Sequence, residues 1–292
     1  MDWPKILIHL HLYYIEYFNE IASYIKNLDQ KFEYELYITI PKQNASFTSV
    51  LQSSFPDSKI VICENIGFDI YPFIKIIKSV NLDKFSYVIK LHTKRDIDFN
   101  LFSIFKNKWY GKSNWREGLL TFIKNTNNLE QVINYLNAHD SVGMHGGQAY
   151  LLNQYTDDKN AKKSVQKYIN KLGYKFVAGA IFVAKAKVFK NLQTNCIDLS
   201  LFEASDTTHQ CVQFAHIMER YLGYCVTSCN LEIRDCLTPK IQQVIISIQK
   251  YLNAFSNTFV LNIRITKKGK LLVKLFKIPI FSKSIKEVNS KH

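Results

Sequence analysis

The chain opens on "KILIHLHLYY", an apolar-rich run of strand type, and continues into "YIEYFNEIASYIKNL", whose apolar residues recur at helical spacing. The alternation persists. "YELYITIP" predicts a second strand ending at Pro41, "SFTSVLQSSFP" a short helix, "SKIVICEN" a strand, "IYPFIKIIKSV" a helix and "FSYVIKLH" a further strand. Strands alternating with helices of about 10 to 15 residues predict an α/β fold, a mostly parallel sheet flanked by helices. The first hundred residues have the pattern of the nucleotide-binding half of an α/β enzyme.

The middle of the chain is less regular. A helix is expected after the two tryptophans of "NKWYGKSNWREGLLTFI", a strand running into a loop at "HDSVGMHGG", and a polar helix at "DDKNAKKSVQKYINKL". "YKFVAGAIFVAKAKVF" reads as a strand pair or a strand-turn-strand with Gly179 at the bend. A late helix is expected to start at Ser205 or Asp206 as N-cap, with Gly223 just past its C-terminus. "PKIQQVIISIQKYLNAF" predicts an amphipathic helix, and a basic, apolar tail closes the chain.

Composition refines this picture. With 292 residues and 47% hydrophobic content, the chain can bury a full core as one large domain or one domain plus an appendage. A formal net charge of +14 calls for an anionic partner: nucleic acid, an acidic membrane surface or a phosphorylated ligand. From Thr258 onward nine Lys and Arg face one acid, so +8 of the charge sits in the last 35 residues. Six cysteines fall in no paired framework, and no signal-peptide pattern is visible, so a cytosolic chain with free thiols is expected. Cys225 and Cys229 have the spacing of half a zinc site, but no second pair follows, which favours buried thiols. No apolar run approaches the roughly 18 residues of a membrane span.

The chemistry concentrates at strand ends. "YVIKLHTKRD" places Lys90, His92, Thr93, Lys94 and Arg95 at the end of a strand, where ligands bind in α/β proteins. Those cations and donors suit a diphosphate leaving group, and an exposed basic loop is the plain alternative. "ENIGFDIYPF" offers Gly67 for a close backbone approach, with Asn65 and Asp69 able to bond a base or ribose hydroxyl, or simply to cap a helix. It is no GxGxxG, so dinucleotide binding is not supported. Asp96 and Asp98 have metal-ligand spacing, a weak signal. Along the late helix Asp206, His209, Gln213, His216 and Arg220 form one polar stripe, in which Asp206 is placed to act as a general base or as a cap.

Taken in order, six blocks resemble the rhamnan synthesis F family of bacterial polysaccharide glycosyltransferases: "HLYY" (His11 to Tyr14), Glu64 to Phe73, Tyr87 to Lys94, Trp115 with Arg116, Phe176 to Ala184, and Asp206 to Arg220. The resemblance implies a GT-A-like, Rossmann-type domain over residues 1–237, with a nucleotide-binding half (1–110) and an acceptor half (111–237). Residues 238–292 would then be a helix plus a basic, amphipathic extension. The implied activity moves a sugar, rhamnose or another deoxyhexose, from a nucleotide-sugar (dTDP-, GDP- or UDP-linked) to a lipid-linked or growing surface-polysaccharide acceptor.

Mapped onto this chain, the resemblance makes His11, Asn65, Gly67, Asp69 and Gly179 donor-site residues. Lys90, His92, Thr93, Lys94 and Arg95 become diphosphate residues, and Asp206 the acceptor-activating base with His92 and Lys94 beside the chemistry. Trp115, Arg116, His209, His216 and Arg220 fall on the acceptor side or behind the site. Where many such enzymes carry a metal-binding D-x-D, this chain has "HTK", so fixed cations are expected in place of a divalent metal. One departure is the absence of a basic residue at Ile66 or Phe68.

In the tail, "LLVKLFKIPIF" interleaves lysines with large apolar residues, which suits an anionic membrane interface. An edge β-hairpin around Lys267-Lys268-Gly269 is compatible with that. The expected location is cytoplasmic, peripheral on the inner face of the cell membrane. Two rival readings are a nucleic-acid binder, which the charge distribution and lack of recognition motifs disfavour, and a catalytically inert scaffold.

Overall fold

The computed structural model describes residues 4–28, 31–94, 115–153, 168, 175–204, 213–255, 261–265, 270–275 and 278–284. They fall into two compact units, one within residues 1–95 and 116–238 and the other within 96–115 and 239–292.

The first unit is built on a sheet of seven strands among the described residues. β1 (Ile6–His11), β2 (Tyr34–Pro41), β3 (Lys59–Cys63) and β4 (Tyr87–His92) are mutually parallel. Their order is β3-β2-β1-β4, so the direction of winding reverses between β1 and β4. β1 and β4 are buried along their whole length, as central parallel strands covered on both faces must be. The sheet continues through β8 (Phe182–Lys185), antiparallel to both β4 and β5 (Val142–His145), and ends with β9 (Glu232–Arg234) parallel to β5. The sheet is therefore mostly parallel and flanked by helices.

Helices α1 (Phe18–Lys26), α2 (Thr48–Ser54) and α3 (Ile70–Ser79) link the first four strands. Pro72 lies in the first turn of α3, where a missing N–H costs nothing. This helix crosses the face of β1 that carries Leu7, His9 and His11, and Phe73 meets the His9 ring at 5.6 Å. The opposite face meets α5 (Thr126–Ala138), where the Tyr87 hydroxyl donates to Asn137 Oδ1 at 2.6 Å. Sequence reasoning singled out no helix at α5, because its polar, Asn-rich outer face obscures the Leu129, Val132, Ile133, Leu136 stripe that it buries. The expected helix after Trp115 is α4 (Trp115–Leu120).

Two expectations are corrected. Around Gly179 the strand-turn-strand form is the one found and the strand pair is not: β7 (Lys175–Val177) pairs with β6 (Leu151–Asn153) in a small separate sheet, while β8 enters the main one. After the short α6 (Lys190–Thr194), the late helix α7 runs Phe214–Thr227, with Gln213 as its N-cap. Gly223 thus lies inside the helix. Its reason is contact, since a Cβ there would come within 2.2 Å of the Lys175 carbonyl oxygen. Residues 205–212 and most of the expected polar helix near 157–172 lie outside the described residues.

The second unit contains α8 (Lys240–Phe255) and a three-stranded antiparallel sheet, β10 (Leu261–Ile265), β11 (Lys270–Leu275) and β12 (Ile278–Ser284). Among the described residues, no helix is long and apolar enough to cross a membrane.

Candidate functional site

In an open parallel sheet, the loops leaving neighbouring strands diverge where the winding direction changes, and a crevice opens at their carboxyl ends. Here that point lies between β1 and β4. Strand register sets the rest. His9 is paired with Lys90, His11 with His92 on one side and with Thr39 on the other, so five polar side chains share one face across three strands. The amino end of α3, starting at Asp69, lies over them.

Lys90 is fully buried. Its ammonium donates to Asp69 Oδ2 and to the Ala180 carbonyl at 3.0 Å, with the Phe73 ring centroid 5.6 Å away. Burial lowers its pKa, and the Asp69 carboxylate opposes that shift. Burial penalises the Asp69 charge too, but His92 and Lys90 outweigh it and hold the carboxyl well below the usual carboxylate range. His92 Nδ1 lies 3.3 Å from the same Asp69 oxygen, and burial keeps its imidazole neutral near pH 7. Asp69 occupies the N-cap position of α3 yet makes no capping bond with its side chain; it is turned into the sheet instead.

Behind this pair, the Thr39 hydroxyl bridges His9 Nε2 at 2.9 Å and His11 Nδ1 at 3.0 Å. A hydroxyl has one proton, so it donates to one ring and accepts from the other. Burial pushes His9 well below the ordinary imidazole value and takes His11 down to about 4. Sequence reasoning passed over His9 and Thr39. Each is a polar residue within an apolar strand run, "IHLH" and "YITI", a pattern that a solvent-facing side chain would share.

The loop after β1 is pinned from below. Thr93 Oγ1 accepts from the backbone N–H groups of Tyr13 (3.0 Å) and Tyr14 (2.8 Å), and Asn44 Nδ2 donates to the Tyr13 carbonyl at 2.7 Å. Thr93 is 3% exposed, so its hydroxyl positions backbone. Lys94 is half-buried, and its charge acts on Lys90, His92, His216 and Glu219 alike.

A second carboxylate closes the site from α7. Glu219 Oε1 accepts from the Gly179 N–H at 2.7 Å, in the turn whose Ala180 carbonyl binds Lys90. Burial, with Asp69 nearby, raises its pKa, so the two carboxyls are driven in opposite directions. This turn is strained, with φ of 87° at Gly179 and 46° at Ala180; across the site Phe68 has φ 53° beside Asp69. Non-glycine residues in this region cluster at sites where surrounding structure over-determines them. His216, one turn before Glu219, is exposed and its ring lies 5.6 Å from Phe68.

Other expected residues sit differently. Gly67 has φ 61°, but the space before it is filled by Phe202, whose ring a Cβ would meet at 2.4 Å, so protein rather than ligand makes the close approach. Asn65 is half-exposed in the same loop. Arg116 pairs with Glu20 and stacks over Tyr17 at 4.4 Å, while Arg220 lies over Phe176 at 5.9 Å. Arg95, Asp96, Asp98, Asp206, His209 and the Trp115 side chain lie outside the described residues. Among the described residues no group of three His, Cys, Asp or Glu side chains could hold a metal ion. A cavity of about 390 Å³, lined by Asp83, Tyr87, Lys185 and Lys187, lies at the amino end of β4, away from the convergent charges at the carboxyl end.

A family model described as Rhamnan synthesis protein F matches residues 1–230, a range that includes every residue of this constellation. No curated protein matches the chain.

Proposed function

Because the chain belongs to the Rhamnan synthesis protein F family, we propose that it is a glycosyltransferase that moves a sugar, rhamnose or another deoxyhexose, from a nucleotide-sugar to a lipid-linked or growing surface-polysaccharide acceptor. The observation that carries the reading is the convergence of Asp69, Lys90, His92 and Lys94 at the carboxyl end of β1 and β4, where the winding reverses.

The roles follow from charge and access. The Asp69 side chain is 18% exposed and kept anionic, which suits it to accept hydrogen bonds from ribose or sugar hydroxyls. Lys90 acts through Asp69, because its donors are engaged inside the protein. Lys94, half-buried just past the end of β4, is the proposed cation for the diphosphate, and His92 a neutral donor beside it. Fixed positive charge near the departing nucleoside diphosphate stabilises the negative charge that develops there, the part a divalent metal plays in other transferases. Two carboxyls with opposed environments are the usual basis for dividing acid and base roles. Asp206 is the proposed base that deprotonates the acceptor hydroxyl, and the raised pKa and free Oε2 of Glu219 among the described residues make it the second candidate.

A thermal-shift panel of dTDP-, GDP- and UDP-sugars, run with and without divalent metal, tests donor binding. A cognate donor at a hundredfold its Kd stabilises the folded state by about 2.7 kcal/mol. Sugar transfer should persist in excess chelator, and replacing the base, Asp206→Asn or Glu219→Gln, should lower turnover by about 10²-fold while leaving the donor shift intact. A panel with no stabilising nucleotide-sugar would defeat the reading. Donor binding without hydrolysis or transfer would favour an inert scaffold.

A further inference from the structure

Helix α8 presents its apolar side outward. Ile241, Val244, Ile245, Ile248 and Tyr251 are 79%, 57%, 44%, 53% and 72% exposed, while Ile246 on the other side is buried. At 100° per residue these five positions fall within an arc of about 120°. A water-facing helix ordinarily shows the reverse, and a continuous apolar stripe left exposed marks a surface that something covers.

Charge selects what covers it. From Cys236 to Lys286 the chain contains ten Lys and Arg and no Asp or Glu. The stripe therefore sits in a segment of one sign, with Lys240 and Lys250 on the helix itself and the cationic β10–β12 sheet following it. Two copies brought together through such segments would repel each other, whereas an anionic bilayer offers negative headgroups and an apolar interior at once. At 16 residues the helix is about 24 Å long, and it is not a membrane span, so it would lie in the plane of the interface.

We infer that α8 is a membrane-interface helix whose Ile241-Val244-Ile245-Ile248-Tyr251 stripe inserts among the headgroups of an anionic lipid surface, with the flanking lysines and arginines binding lipid phosphates. This goes beyond the tail considered from sequence: the apolar anchor is the helix, and the basic sheet supplies charge. It does not depend on the transfer chemistry.

The test is flotation of the full-length protein with phosphatidylcholine vesicles with and without phosphatidylglycerol, in the absence of any nucleotide-sugar. Wild type should float only with the anionic vesicles and be released at high salt, and Val244→Ser/Ile248→Ser should weaken that binding by about tenfold or more. These side chains are exposed, so the variant's thermal midpoint should stay within a degree or two of wild type. Equal flotation of wild type and variant would remove the helix from the interface, as would failure of wild type to float. A wild-type dimer in light scattering that the double substitution turns into a monomer would assign the stripe to a second copy instead. Because the measurement uses no donor or acceptor, its failure leaves the transferase reading standing, and the reverse holds too.

Discussion

Lys90 is a fully buried ammonium matched by one carboxylate and one carbonyl. Taking both charges out of water is costly, so the pair adds little net stability, but removing one partner strands the other. Lys90→Met should therefore destabilise the protein by about 3–5 kcal/mol in urea denaturation, and Lys90→Met/Asp69→Leu should recover much of that loss. Additive effects of the two single changes would mean the pair is not coupled. The buried imidazoles make a pH prediction, three of them on the face shared with Lys90 and the fourth, His145, on β5. Burial lowers the pKa of His9, His11, His92 and His145, and for His11 and His145 the fall is from 6.5 to about 4. The unfolded chain thus binds more protons in that window, so stability is full above about 6.5 and is lost as the pH falls towards 4. Thermal midpoints measured across this range should drop steadily, and a flat profile would contradict neutral, buried imidazoles. Lys90, His92 and Asp69 stand out in the sequence because charged residues beside apolar runs are conspicuous. His9 and Thr39 do not, because a polar residue within a strand looks the same whether it meets a partner or solvent.

At the scale of elements, α3 and the 177–182 turn do most to assemble the site. α3 brings Asp69 over β4, and the turn brings the Gly179 N–H and the Ala180 carbonyl to Glu219 and Lys90. The turn belongs to a crossing between two sheets, which explains its two consecutive positive φ values. Helix α7 depends on a close approach: Gly223 leaves room for the Lys175 carbonyl and Phe176 Cβ. Gly223→Ala sets two effects against each other. Alanine is the better helix former by about 1 kcal/mol, but its Cβ would stand 2.2 Å from a backbone oxygen that cannot swing aside. Overpacking of this kind costs about 1–3 kcal/mol, so the substitution should lower the thermal midpoint; an increase would mean that β7 moves freely away from the helix. Reading Gly223 as a helix terminator was natural from sequence, since glycine marks helix ends more often than helix contacts.

Across the whole molecule, the alternation of apolar runs in residues 5–92 was enough to predict four strands, the three helices between them and a mostly parallel sheet, because period and strand length depend only on neighbours along the chain. Composition likewise determined that the excess positive charge gathers at the carboxyl end. The strand order was not legible. β8 enters between β4 and β5 in the antiparallel sense, and β6 with β7 forms a sheet of its own. Such pairings join residues from about 20 to more than 90 positions apart, as in Asn153 with Lys175 and Lys90 with Phe182, and no local pattern encodes them. By itself the sequence thus determined which elements form and which residue types sit at their ends. Only the tertiary structure decided that His9, His11, Thr39, Lys90 and His92 share one face beneath Asp69, that Glu219 reaches the same turn from α7, and that the apolar stripe of α8 faces outward. The physical reason is that register and helix placement are set by long-range packing, and a side chain's charge state follows from the neighbours that packing supplies.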